Sequence, residues 1–418
     1  MAKYYLSANG CDMSDGLSPE TPWKTIDKVN KTLTGGDTVC FRRGDTFFGR
    51  IMPPKQDDTA VPTTYTSYGE GAKPIVSQYK TALPGAGEDC GDGVWKLDLK
   101  DTTKYTGNIT EPDTNVGFLK VSGTIRPRNR FSPDRLEAVW DYWNDDLYVY
   151  VKTDADPASL SDDIRLACNI HCMRFADNLL VENIVFMGTG AHGICGTVHH
   201  ATVRNCEFHE IGGSILPGYP TPNTRYGNGV ECWSNSSDVL VENCRFSGIY
   251  DVAITMQGNE VKTGWVNMTF RGNVMWNCQQ CFEIWSSGKL PDTGFRNCVF
   301  ENNVCIDSGY CWGYDVRPNK ACSAHLLLYG LECPLCGIVI RNNTFWRARV
   351  APIYKSGGPG DIPADYRITG NTFFLDPGQD IAFRQNCTED VYQAFYARLA
   401  AENHIVENAY FEPECTQV

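Results

Sequence analysis

The chain has 418 residues, with 37 Lys plus Arg against 50 Asp plus Glu, a net charge of −13. That balance disfavours a nucleic acid or an anionic membrane surface as partner, and a neutral polymer fits it better than an acidic one. No apolar run reaches the 18 residues or so that a membrane-spanning helix needs, and the length admits either two average domains or one long all-β domain.

The opening MAKYYLSANG passes directly into a strand-and-turn pattern, without the charged and apolar segments of a signal peptide. The 19 Cys include many at apolar strand positions, such as Cys206, Cys244 and Cys298, and read as small core residues of a reduced protein. Together these features predict a cytoplasmic protein, or a secreted one if a signal peptide has been removed. Cys278-x-x-Cys281 straddles strand positions, and neither it nor Cys333-x-x-Cys336 has a histidine nearby, so no metal and no cofactor is expected.

Residues 21–33, TPWKTIDKVNKTL, predict a short helix with Thr21 as N-cap and Pro22 at its first position. Trp23, Ile26, Val29 and Leu33 share one face, able to plug the end of a solenoid. Residues 84–166 carry hairpin-like strands, VGFLKVSGTIRPR and WDYWNDDLYVYV, the second around an Asn-Asp-Asp turn. They read as a β-rich insertion walling one side of a groove. The helical pattern VYQAFYARLAA at 391–401 serves as the opposite plug.

Between insertion and plug a hexamer recurs: VENIVF at 181, VRNCEF at 203, VENCRF at 241, FRGNVM at 270, FENNVC at 300, IRNNTF at 340 and ITGNTF at 368. The spacings, 22, 38, 29, 30, 40 and 28 residues, have a floor of one coil of a parallel β-helix, with longer coils carrying loops. Asn at the turns predicts stacked side-chain amides. The fold class is therefore all-β, a right-handed parallel β-helix with a β-rich insertion and short capping helices. Its expected parts are 1–83 (N-terminal cap and first coils), 84–166 (insertion), 167–385 (main β-helix with the groove) and 386–418 (C-terminal cap).

A second strand within each coil aligns GVECW (229–233), AITMQ (253–257) and CFEIW (281–285). Alternation points Val230, Ile254, Phe282, Cys232, Met256 and Ile284 inward. Outward, Glu231, Thr255 and Glu283 form one column and Trp233, Gln257 and Trp285 the next. With coils ~4.8 Å apart, Glu231 and Glu283 stand roughly 9.6 Å apart across Thr255. Asp251 enters the middle strand on the outward parity, where a bend would carry it into the same groove. His192 lies at a strand entrance one coil earlier, and Trp312, Tyr314, Asp315 and Arg317 on the coil after. Asp251, Glu283 and Glu231 are the candidate catalytic residues; His192, Gln257, Trp285, Trp312, Asp315 and Arg317 are candidate substrate contacts.

The stretches YYLSANGCDMSDGLSPETPWKTIDKVN, GDTVCFRRGDTFFG, WDYWNDDLYVYV, RYGNGVECW, YDVAITMQG, CFEIW and WGYDVRP resemble bacterial right-handed parallel β-helix proteins of the pectin-lyase-like class, and the likeness covers nearly the whole chain. The resemblance implies a carbohydrate-active enzyme. The β-helix glycosidases of that class use an Asp/Glu pair on adjacent coils, matched here by the neighbourhood of Asp251, Glu231 and Glu283. The polygalacturonase pattern is absent except for the fragment AHG, and no acidic calcium cluster of the pectate-lyase type appears in the coils. The expected function is a glycoside hydrolase acting on a plant or host glycan through two carboxylates, without nucleic-acid or membrane partners and with the oligomeric state open. The alternatives are a polysaccharide lyase or uronate epimerase using Arg317 or Lys355 as base, and a non-catalytic glycan-binding β-helix.

Overall fold

Alternating apolar strands joined by tight Asn or Gly turns coil the chain into a solenoid. The structure, a computed structural model, describes residues 1–56, 61–219, 223–258, 264–286, 290–331, 333, 335–356, 367–384 and 388–409. Three all-parallel sheets, of ten, ten and eight strands, run along it. One coil shows the plan: Val230–Trp233 lies in the eight-stranded sheet, Ser236–Glu242 in the first ten-stranded sheet and Arg245–Ile249 in the second. The next coil repeats it with Val252–Gly258, Trp265–Arg271 and Val274–Trp276. Inward side chains stack from coil to coil, as Phe186 on Phe208 at 5.3 Å and Phe208 on Phe246 at 4.7 Å between ring centroids.

The hexamers mark the corner between the two ten-stranded sheets. Their third residue, Asn183, Asn205, Asn243, Gly272, Asn302, Asn342 or Gly370, is left-handed at φ 53–65°, which Asn and Gly tolerate best. The amide ladder stands one position later than the turn residues expected to form it. Asn273, Asn303, Asn343, Asn371 and Asn403 are linked in series, each Nδ2 donating to the next Oδ1 at 2.8–3.0 Å. Each ladder oxygen also accepts a backbone N–H from the preceding coil, satisfying a buried donor of the corner.

At the N-terminal end the helix is Ile26–Thr32, and its N-cap is Thr25, whose hydroxyl accepts from the Lys28 amide at 3.1 Å. Thr21 and Pro22 lie outside it, because Trp23 is engaged as a bridge partner of Leu6. Trp23, Ile26, Val29 and Leu33 are buried in the main core. The C-terminal helix, Glu389–Glu402, is followed by His404–Val406, which still pairs with the second ten-stranded sheet. Between residues 79 and 168 two antiparallel sheets, of five and four strands, leave the coil path. They include the hairpin of Val116–Val121 with Thr124–Arg126, turning through Ser122 and Gly123 at positive φ.

Of the described cysteines only Cys11 and Cys90 are exposed. Cys281 does have a histidine beside it, brought by the fold rather than the sequence: His325 Nδ1 lies 3.9 Å from its sulfur and 2.7 Å from the Ser308 hydroxyl, all inside the core. No helix among the described residues is long and apolar enough to cross a membrane.

Candidate functional site

The eight-stranded sheet has the register expected from the sequence. Val230 pairs with Ile254 and Ile254 with Phe282, and these core-facing residues are at most 1% exposed. Glu231, Thr255 and Glu283 are successive partners on the opposite face, and Trp233, Gln257 and Trp285 form the neighbouring column. The first column also runs on in both directions, to Cys195 and Arg174 before Glu231 and to Leu327, Tyr354 and Phe383 after Glu283.

Both glutamates are largely covered, at 6% and 8% exposure, so each needs partners. Those of Glu231 are donors. His192 Nε2 lies 2.7 Å from Oε2, and Asn228 Nδ2 donates to the same oxygen at 3.1 Å. The tautomer of His192 is set by its other nitrogen: Nδ1 accepts the Asn228 backbone N–H at 2.9 Å, leaving Nε2 as the N–H that faces Glu231. Burial pushes the Glu231 carboxyl up, but His192 and the amides of Asn228 and Gln257 outweigh it and hold the group below the ordinary glutamate value. Asn228 is a residue that reading the sequence missed. Its backbone N–H, amide nitrogen and amide oxygen bond His192, Glu231 and the Val252 N–H respectively. The signal available was its place in GNGVE, three residues before the carboxylate.

Glu283 has the opposite surroundings. The Thr255 hydroxyl donates to its Oε2 at 2.8 Å. Burial, followed by the negative charge of Asp251, pushes its carboxyl up to about 8; the Thr255 hydroxyl and Arg317 work the other way, and Glu231 adds a further upward push. The two carboxyls are thus pushed in opposite directions, Glu283 up and Glu231 down. Asp251 sits in the bend before Val252–Gly258, and its Oδ1 is 2.8 Å from Arg317 Nη2. Burial opposes the charge of Arg317, but Asp251 beside it raises the guanidinium further above its already high value. Arg317 thus makes its ion pair with Asp251.

The remaining candidates divide. Gln257 bonds Glu231, and Trp285 stands half-buried in the adjoining column. Trp312 does not join that column. Its indole packs 4.9 Å from Phe118 and 5.4 Å from Tyr250, and its N–H donates to the Gly248 carbonyl at 3.0 Å, so it supports the antiparallel insertion. The segment Gly313–Val316 is a helical turn rather than a strand, which leaves Asp315 exposed upon it and separates it from Arg317 at the turn's C-cap. Lys355 is the strand partner of Leu328, itself the partner of Ile284, which places it in register with core-facing positions.

A cleft of about 580 Å³ opens beside Glu231, with His192, His171, Arg174, Arg50, Tyr226 and Trp233 among its lining. Its further wall comes from Leu216, Pro217 and Tyr226 around the short antiparallel pair Ser214–Ile215 and Arg225–Tyr226 rather than from residues 84–166. The insertion acts from behind: Asn115 accepts the Ile215 N–H at 2.9 Å and donates to its carbonyl at 2.7 Å.

The sheet topology defines a parallel β-helix, and residues 168–321 match the family described as a right handed beta helix region. The chain is similar to a lacto-N-biosidase of Bifidobacterium longum subsp. longum, 26% identical over 224 residues, which is 51% of this chain and 12% of that protein's own length. Among solved structures it resembles the complex of XylC with xylose, at 10% identity and a TM-score of 0.52 over 91% of this chain and 70% of that one. An alginate lyase from Paenibacillus sp. str. FPU-7 matches at 14% identity and a TM-score of 0.49, covering 92% of this chain and 95% of the other.

Proposed function

We propose that the protein is a glycoside hydrolase in which Glu283 is the general acid and Glu231 the general base. The observation that carries this reading is the opposite surroundings of two covered carboxylates in one strand column: Glu231 faces His192 and Asn228 as donors, whereas Glu283 is buried near the negative charge of Asp251. A glycosidase needs one carboxyl that holds its proton at working pH and one that has lost it. Glu283, protonated, delivers its proton to the departing glycosidic oxygen. Glu231, ionised and oriented by His192 and Asn228, takes a proton from the water that attacks the anomeric carbon. Burial, and after it the negative charge of Asp251, itself held by Arg317, raises the Glu283 carboxyl towards the working pH of an acid catalyst. Two coil spacings, ~9.6 Å, separate the glutamate backbones, and carboxyl groups that lean to roughly 6.5–9.5 Å apart leave room for that water and give inversion of the anomeric centre. An Asp251–Glu283 pair on adjacent coils would give retention instead, with Asp251 as nucleophile.

Support for a sugar substrate comes from the likeness to a protein named lacto-N-biosidase, and from Trp233 and Trp285 beside the carboxylates. Elimination from a uronate is less well served: Arg317 is held charged by Asp251, and Lys355 lies in register with the core-facing column. A groove that only bound sugar would not need a carboxyl raised towards the working pH, as an acid catalyst does. The test is hydrolysis of a panel of aryl glycosides and glycans by the parent, Glu283→Gln and Glu231→Gln, with the first-formed anomer read by proton NMR. Losses of about 100-fold or more in both variants are expected, together with the inverted anomer. Undiminished hydrolysis by Glu283→Gln overturns the assignment.

A further inference from the structure

The column that holds the two glutamates also holds a cation. Arg174 is the strand partner of Cys195, and Cys195 of Glu231, so Arg174 stands two coils, ~9.6 Å, to the N-terminal side of the proposed base. It is exposed in the cleft. Its Nη1 rests on the Cys195 sulfur at 3.4 Å, a weak acceptor, and among the described residues it has no carboxylate partner. Arg50 joins it by backbone geometry, since Ile51 bridges Met173 and the Ile51 carbonyl accepts the Arg174 N–H at 3.1 Å. Arg50 pairs with Glu111 through Nη2 at 2.8 Å, yet its Nε is buried with no acceptor. His171 lies in the same part of the cleft and is pushed down to about 2 by burial and then by His192, Arg174 and Arg50, so it is a neutral imidazole there.

An exposed arginine without a carboxylate partner, with a second guanidinium in the same cleft, suits an oxyanion, whose oxygens accept two N–H groups at once. Trp233, 36% exposed, lines the same cleft and offers a face for the sugar ring bearing that group. We propose that this end of the cleft is a subsite for a negatively charged glycan substituent, a carboxylate or a sulfate ester, bound by Arg174 with Arg50 beside it. The proposal rests on the glycan reading above and narrows it. It also reverses the preference for a neutral polymer that the net charge of −13 favours, because a ligand in the cleft senses the nearby guanidinium groups more strongly than distant, screened surface carboxylates.

The experiment is a glycan array probed with Glu283→Gln, which retains the cleft but not the proposed acid. Uronate-containing and sialylated glycans are printed beside their carboxyl-reduced forms, and sulfated glycans beside their desulfated forms. Binding confined to acidic members, at least tenfold weaker when Arg174→Ala is added and partly restored by Arg174→Lys, supports the subsite, and the responding pairs tell carboxylate from sulfate. Equal binding of both members, binding insensitive to Arg174→Ala, or no binding at all overturns it. Incubating the parent protein with the bound acidic glycans separates the two ideas. Binding that needs Arg174 but leads to no cleavage keeps the subsite and removes the hydrolase. Cleavage that is indifferent to Arg174 does the reverse.

Discussion

Glu231 and Glu283 share a residue type, a column and nearly the same burial, and they differ in their neighbours. One faces donors, the other a second carboxylate. The consequence for Glu283 can be measured without a substrate. Its folded pKa, about 8, lies above that of the unfolded chain. Between the ordinary glutamate value and about 8 the native protein therefore keeps a proton that the unfolded chain has released, and stability falls as pH rises across that window. Glu283→Gln removes this dependence. Its melting temperature should stand above the parent's by a margin that widens from pH 5 to pH 8, and a margin independent of pH would mean that Glu283 is ionised. Activity should fall as pH rises through about 8, when the acid is lost. Glu231 behaves in the opposite sense, because its pKa is depressed: its ionised form is lost as pH falls below the ordinary glutamate value. His192→Ala removes the first partner named for that depression, so the acid limb of the kcat/KM profile should move to higher pH while the alkaline limb stays in place.

At the level of strands and corners, two substitutions separate scaffold from chemistry. Phe282 faces the core at 1% exposure and stacks on Phe300 at 4.2 Å. Phe282→Ala should cost about 3–5 kcal/mol in denaturant unfolding through the cavity it leaves, while folded protein retains its activity. Asn303 serves two neighbours, accepting from Asn273 and donating to Asn343. Asn303→Ala leaves buried donors and acceptors in adjacent coils without partners, at about 1–3 kcal/mol for each unsatisfied group, so equilibrium unfolding should show a loss comparable to the aromatic cavity. These elements were the legible part of the sequence. Period-2 alternation and a recurring corner fix which residues face in and which coil pairs with which, so the stacking of Glu231, Thr255 and Glu283 follows from the sequence. The N-cap stands at Thr25 rather than at Thr21 because the bridge between Leu6 and Trp23, which holds that segment extended, is non-local. The helical form of Gly313–Val316 leaves no mark in the sequence, because a four-residue turn has too few positions to show a period. The pairing of Arg317 with Asp251, the Asn228 clamp and the place of Arg174 depend on loops of unequal length, and a repeat length says nothing about where such loops return.

For the molecule as a whole, each coil touches mainly the next, so stability is approximately a chain of neighbouring interfaces closed at the ends. The helix Ile26–Thr32 closes one end, with Val29 fully buried. Val29→Asp should therefore open the solenoid from that end: hydrogen exchange should quicken first in Lys3–Leu6 and Thr38–Arg42 while Val252–Gly258 and Gln280–Ser286 stay protected. Uniform loss of protection would show that the coils unfold as one unit. The same stacking makes the groove a ruler with fixed graduations. Arg174, Glu231 and Glu283 occupy alternate marks on it, and their backbones can be moved apart or together only by adding or removing whole coils, in steps of ~4.8 Å. Side-chain length is the only fine adjustment. A lineage of such proteins would pass between different separations of the proposed acid and base by jumps, and the loss of the one coil between them, bringing their backbones to ~4.8 Å, rather than a gradual drift, is the change that would turn the proposed inversion into retention.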